Sequence, residues 1–539
     1  MKKTTVTLYI VLSLLNILGC GESEQDFELP GPSLVEVGEQ PALIVQEPGL
    51  EVSRQFTIQS AAGLQKFEVF RDDELVETIH YTDEVKATYT FEYLVPQETP
   101  LATTFVFRFV LTDRVNLQVG TQISVLVNST FRESQETVNG TPVVRLMGRL
   151  NRDYTMEAGN NYLVDSIFSV ENNSALTIEA GTTVYFKTFA DQADISSLVI
   201  AQGAKIMAEG TPDQPIVFTS DKLLLGETPT PSDWGGVVIY GRAPSNQGGV
   251  ILDEGFRYGG DMPNDNSGIL RYARIEYAGN QLENSVHALR LFGVGSATQV
   301  DHVQVYRNYN IAFRLRGGRV NLKYISAIGH GGYGLWAGDG WQGLGQFWLF
   351  QTDVAATLIP VNYWNIARSV EMRNDDDNFL RSPRTTFTVS NVTCIGNGYE
   401  TGVDNGTRRG VRFRTGAIGN FQNAIITGFP NDAARVEDLD VEVLGVDMIF
   451  DNIRSFGNSK NYEQEARTIF FESGEYNVTE DPVPGISLTS FIGSEASPFN
   501  PSSLGSFFSS APYIGAVENE SNDWTTEGQW FKDLDGNIR

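Results

Sequence analysis

Cysteine is almost absent from this chain. Only Cys20 and Cys394 occur, too few for the disulfide framework that holds small exported scaffolds together. Histidine is nearly as scarce: His80, His287, His302 and His330 are scattered and show no metal-ligand spacing. Positive charge is short as well. With 39 Lys and Arg against 67 Asp and Glu, the formal net charge is -28, which repels phosphate backbones and excludes nucleic acid as a partner. No Gly-x-Ser-x-Gly elbow or phosphate-binding loop occurs. The longest apolar run, Val6 to Leu18, is shorter than the ~20 residues that span a bilayer. Helical periodicity is lacking over nearly the whole length.

What is present begins at the N-terminus. Met1-Lys2-Lys3, the apolar run and Gly19-Cys20 form a secretory signal, residues 1–19. Ile17-Leu18-Gly19-Cys20 resembles a lipobox, which implies a lipid on Cys20 and anchoring in the outer membrane. The acidic tether 20–33, with Glu22, Glu24 and Asp26 behind the cysteine, resembles the signal for display on the exterior face. A lipidated Cys20 leaves Cys394 without a partner. Core burial alone must then hold the chain, which favours large regular β architecture. Cys394, within Val392-Thr393-Cys394-Ile395, reads as a buried apolar residue.

Residues 34–132 alternate apolar and polar positions, as in Phe67-Glu68-Val69-Phe70 and Phe105-Val106-Phe107-Arg108-Phe109. That period marks half-buried strands, and roughly seven in such a length suggest an immunoglobulin-like β-sandwich. From 133 to 539 the texture changes. Short β runs recur between Gly, Asn and Asp: Leu176–Phe186, Leu198–Ile206, Pro215–Ser220, Ala273–Tyr277, His302–Tyr306, Leu322–Ser326, Val389–Ile395 and Phe421–Ile426. A repeat of ~20–30 residues without helical periodicity predicts a β-solenoid, closed by a C-terminal cap. Asn near the corners suits a left-handed bend. The fold class is therefore all-β: an N-terminal sandwich followed by a parallel β-helix.

Leu176–Ser220, with Trp234-Gly235-Gly236 beyond it, resembles a family of exported right-handed parallel β-helix lipoproteins, pectate-lyase-like solenoids mostly of unknown function. Glu179, Gly181, Gly203, Lys205, Gly210, Thr211, Gln214, Pro215, Trp234 and Gly235 carry the match. It continues through Leu270–Gly279, Gly293–Thr298, Gly340–Gly343, Gly419–Phe421 and Tyr513–Val517, spanning about 140–530. The family pattern also implies two turns with paired aspartates. Here those turns read Arg307-Asn308-Tyr309-Asn310 and Gly329-His330-Gly331-Gly332-Tyr333-Gly334, so carboxylates that bind a cation or move protons there are missing.

Two constellations carry candidate chemistry. Asp375, Asp376 and Asp377 lie in one acidic run and offer oxygen ligands for calcium if a turn makes them converge; no other cofactor is expected. Four of the seven tryptophans lie within 336–364. Trp336, Asp339, Trp341, Gln342, Trp348 and Trp364 form a candidate ligand-binding set, since sugar C–H faces stack on rings while carboxylates and amides take hydroxyls. Trp336 and Trp364 are the expected exposed members. Arg314, Arg316, Arg319 and Lys323 add positive charge on neighbouring coils. His302, beside inward Val303, reads as solvated or capping. The sequence thus points to a surface-anchored, non-enzymatic binding protein for a glycan or another cell-surface or outer-membrane protein. The alternatives are a lyase-like polysaccharide-degrading enzyme and an accessory subunit of an outer-membrane transporter.

Overall fold

The computed structural model describes residues 31–38, 42–96, 99–100, 102–128, 130–191, 194–280, 286–352, 368–398 and 408–539. Cys20 and Trp364 lie outside them. The chain divides into two compact units, one ending at Asn128 and the other spanning Ser129–Arg539.

The first unit is a β-sandwich. Ser33–Glu36, Glu51–Gln59 and Lys86–Leu94 form a three-stranded antiparallel sheet. Leu43–Gln46, Gln118–Val127, Thr104–Asp113, Leu64–Arg71 and Glu74–His80 form a five-stranded one, with a single parallel pairing at the Leu43–Gln46 edge. Alternation drives this arrangement: Val52, Phe56 and Ile58 on one sheet bury against Phe67, Phe107 and Phe109 on the other. The Phe56 and Phe109 rings lie 4.6 Å apart.

The second unit opens with an antiparallel pair, Arg132–Val138 on Thr141–Leu150. The chain then coils as a three-faced parallel β-helix. The first face stacks Ala175–Ile178, Lys205–Glu209 and the opening halves of Gly268–Glu276, Gln299–Tyr306 and Asn321–His330. The second face stacks the closing halves of the same long strands. The third stacks Leu289–Phe292, Phe313–Arg316, Tyr333–Gly338, Arg368–Arg373, Arg409–Arg414 and Asp432–Val436. Inward residues meet like residues one coil on. Leu289, Phe313, Leu335, Val370, Val411 and Ala434 form one such column, all fully buried. Each large member contributes ~1.5–3 kcal/mol through burial.

Between the first and second faces each long strand bends at one residue of positive φ. In later coils it is Asn391, Asn423 and Asn452, as the corner asparagines predict. In earlier coils it is Tyr272, His302, Tyr324 and Phe347, with φ of 43°, 51°, 52° and 59°. That conformation costs a non-glycine residue ~1–2 kcal/mol. The four rings stack in a ladder at 4.3, 4.4 and 4.7 Å, which offsets part of that cost. His302 is thus a buried rung, 8% exposed, and not the solvated residue that alternation with Val303 suggests.

A turn at Ala466–Phe471 closes the far end, with Phe470 against Phe450. The tail then doubles back along the flank. Gln346 and Gln304 each hold its backbone twice, through Ser509 and Lys532. Trp524 and Trp530 cover the aromatic ladder. Beneath the tail, buried Glu276 meets Arg274 at 2.5 Å and Lys532 at 2.6 Å. Burial opposes its charge, but the two cations hold its pKa below the usual carboxylate value.

Candidate functional site

The outward positions of the third face carry an unusual row for so acidic a chain. In Phe313-Arg314-Leu315-Arg316, Phe313 and Leu315 turn inward, so both arginines turn out. Register then aligns Arg290, Arg314, Trp336, Glu371, Arg412 and Arg435 in one column across six coils.

Trp336 is the centre of this row. Its partly exposed ring lies between two guanidinium groups, Arg314 at 4.2 Å and Arg373 at 4.4 Å from the ring centroid. Tyr333 stacks beside it at 5.2 Å. Such cation–π contacts contribute ~0.5–2 kcal/mol each. They also clamp the indole plane.

Arg314 is 5% exposed, and its Nη1 donates to the carbonyls of Leu315 and Trp336. No carboxylate reaches it within ion-pair distance among the described residues. Burial, with Arg316 and Arg373 adding repulsion against the pull of Asp339, brings its pKa down to about 10. Burial first, and then the charges of Arg314, Arg290 and Arg316, also push His287 well below its usual range. Arg290 Nε, Trp336 Nε1, Arg368 Nε and Arg435 Nε on this face are buried without a hydrogen-bond acceptor among the described residues. An unmade hydrogen bond at a buried donor costs ~1–3 kcal/mol.

The acids here are committed to arginines. Asp339, 7% exposed, accepts from Arg316 at 2.6 Å. Glu371, 1% exposed, sits 2.5 Å from Arg368 and 3.2 Å from Arg414. Arg412 pairs with Glu437. Asp376 lies 2.8 Å from Arg373 and 3.5 Å from Arg414.

The three consecutive aspartates do not converge. Asp375 accepts from the backbone N–H of Asp377 and Asn378, from Gln247 at 3.1 Å, and faces Arg381 at 3.2 Å. Desolvation opposes its charge, yet those donors hold its pKa below the usual range. Asp376 turns instead to Arg373 and Arg414. Among the described residues no group of three or more His, Cys, Asp or Glu is placed to hold a metal ion.

The tryptophan set divides. Trp336 stands outside the core, while Trp341 and Trp348 are fully buried and cannot meet a ligand, a correction to the sequence expectation. Their indole N–H groups donate to the carbonyls of Val320 and Leu322 on the coil before. Gly343 and Gly345 make room for them: a Cβ at either would fall 2.3 Å or less from an indole carbon. Glycine close to tryptophan was the available signal for core placement. Gln342 accepts from Arg319 and donates to the Arg384 carbonyl at the corner. Sequence inspection grouped Arg314 and Arg316 with Arg319 and Lys323. The structure puts only the first two on the third face, and adds Arg290, Arg373 and Arg412.

Residues 148–478 match the family described as the pectate-lyase like beta helix domain. No curated protein matches. Among solved structures, the sporulation control protein Spo0M from Bacillus subtilis overlaps 20% of this chain and 60% of its own, at 11% identity and a TM-score of 0.14. The chain thus spans less than two thirds of that protein. Pectate lyase Pel3 from Pectobacterium carotovorum is 8% identical over 64% of this chain and 90% of its own, with a TM-score of 0.12. Pectate lyase PelI from Erwinia chrysanthemi, solved with tetragalacturonic acid, is 9% identical over 71% and 85%, with a TM-score of 0.11. Superpositions this slight carry no argument about activity, which must come from the chain's own residues.

Proposed function

The chain belongs to the pectate-lyase-like β-helix family, and we propose that it is a surface-anchored, non-enzymatic glycan-binding lipoprotein whose binding face is the row around Trp336. One observation carries this reading: a partly exposed aromatic ring flanked by Arg314 and Arg373, in a row with buried donors that lack acceptors among the described residues. A glycan with carboxylate groups supplies what is missing. Its carboxylates meet the outward guanidinium groups of the row, and a sugar ring lies against the exposed edge of the indole. Binding is favoured over cleavage because Glu371 and Asp339 are each held by arginine. Neither is a free general base.

The test is retention of the full chain on immobilised polyuronate compared with a neutral polysaccharide. Trp336→Ala is expected to weaken retention on the polyuronate at least tenfold, as for a hot-spot residue worth ~2 kcal/mol, and to lower the melting temperature by no more than the loss of its two cation–π contacts accounts for, leaving the variant folded. Equal retention of variant and wild type contradicts the proposal. Anchoring is tested separately: Cys20→Ser is expected to release the protein from membranes, and continued sedimentation with them contradicts the lipid anchor.

A further inference from the structure

A groove of 390 Å³ opens on the first face, away from the Trp336 row. Its floor is a register column, Arg271 beside Asp301 beside Lys323, one residue per coil. Neighbouring strands lie ~4.8 Å apart, so a single carboxylate stands between two cations. Asn321 and Tyr324 extend the floor, and Phe507 and Ser509 of the returning tail form one wall.

The partners are unevenly used. Asp301 receives Arg271 Nε at 2.9 Å and faces His302 Nδ1 at 2.7 Å, both through Oδ1. Lys323 Nζ donates to the Phe507 carbonyl at 2.8 Å and the Ser509 hydroxyl at 2.9 Å. An ammonium has three N–H donors, so one remains. Burial draws the Lys323 pKa down against the pull of Asp301, so its charge is short of stabilising partners. The column continues one coil back to Glu209, 3.5 Å from Arg271, so Arg271 is shared by two carboxylates, while Lys323 has none within ion-pair distance among the described residues.

We propose that this groove is a second ligand site that takes one sugar-acid unit, its carboxylate on Lys323 and its hydroxyls on Asp301, Asn321 and Arg271. The ring's apolar face lies toward Tyr324 and Phe507. Because Phe507 and Ser509 come from the tail, the site exists only with the tail docked.

Titration of the full chain with glucuronate, followed by NMR and compared with glucose, tests this. Glucuronate is expected to bind, and glucose at least tenfold more weakly, because only the former brings a charge to Lys323. Lys323→Gln is expected to cost at least tenfold. Arg271→Gln, at a more exposed position that does not hold the tail, is expected to weaken binding as well. Read at the resonances of the groove residues, glucuronate binding is expected to be unchanged in Trp336→Ala, which separates this site from the third-face reading. Absence of glucuronate binding, equal affinity for glucose, full affinity in a folded Lys323→Gln or Arg271→Gln variant, or loss in Trp336→Ala each overturns the proposal.

Discussion

Trp336 and Trp341 show how far neighbours in sequence can differ in role. Outward parity on a strand and two flanking guanidiniums leave Trp336 partly exposed, while Trp341 fills the core over Gly343. Sequence inspection flagged both, because composition shows a tryptophan cluster but not which way each ring turns. His330 is another residue whose surroundings decide its behaviour. It is fully buried, its Nδ1 3.1 Å from the Gly332 carbonyl and its Nε2 3.4 Å from Thr352 Oγ1. Burial, against the help of that carbonyl, lowers its pKa to about 4. Folded His330 therefore stays neutral while the unfolded chain takes up a proton below ~6.5. Its share of stability is complete above that pH and is lost as pH falls toward 4, up to ~3 kcal/mol. Thermal melts of wild type and His330→Asn at pH 7.5 and 4.5 check this. The acid-induced drop in melting temperature is expected to be smaller in the variant; an equal drop would show that His330 does not contribute.

Among the elements, the coils were the most legible part of the sequence. The recurring short β runs do stack as coils, but the register differs from the pattern: Leu176 lies on Ile206, while Leu198 lies on Phe168 and Val237 of another face. The returning tail was not legible, because its partners are remote: Gln304 and Lys532, which bond reciprocally, are 228 residues apart. Nor did periodicity reveal the aromatic corners. The sterics of a left-handed bend favour Asn, and only stacking together with the cover from Trp524 and Trp530 makes Tyr272, His302 and Tyr324 acceptable there. Glu276 is the charged pin under this tail. Glu276→Gln leaves Arg274 and Lys532 without a buried counter-charge, a change that costs ~3–5 kcal/mol. The variant is expected to melt earlier and to be cut by protease within 505–535 before the coils are. Wild-type protease resistance of the tail would show that the amide contacts of Gln304 and Gln346 suffice alone.

For the whole molecule, stability comes from inward columns that run the length of the β-helix, with the acidic surface turned outward. No metal is needed in that account, since Asp375 and Asp376 are held by arginines and backbone donors. A calcium site of ~10 μM affinity at 1 mM calcium would add ~2.7 kcal/mol. Melting with and without chelator is expected to differ by less than that implies, and a large drop on chelation would reveal a site elsewhere in the chain. The third-face row was legible only in pieces. Arg314, Arg316 and Trp336 stood out in the sequence, but coils of unequal length hid their register with Arg290, Glu371 and Arg412. The most direct measurement of the central claim is amide hydrogen exchange of the full chain with and without an acidic oligosaccharide. The account predicts added protection concentrated in 313–316, 333–338 and 368–373; protection absent from all three strands would contradict it.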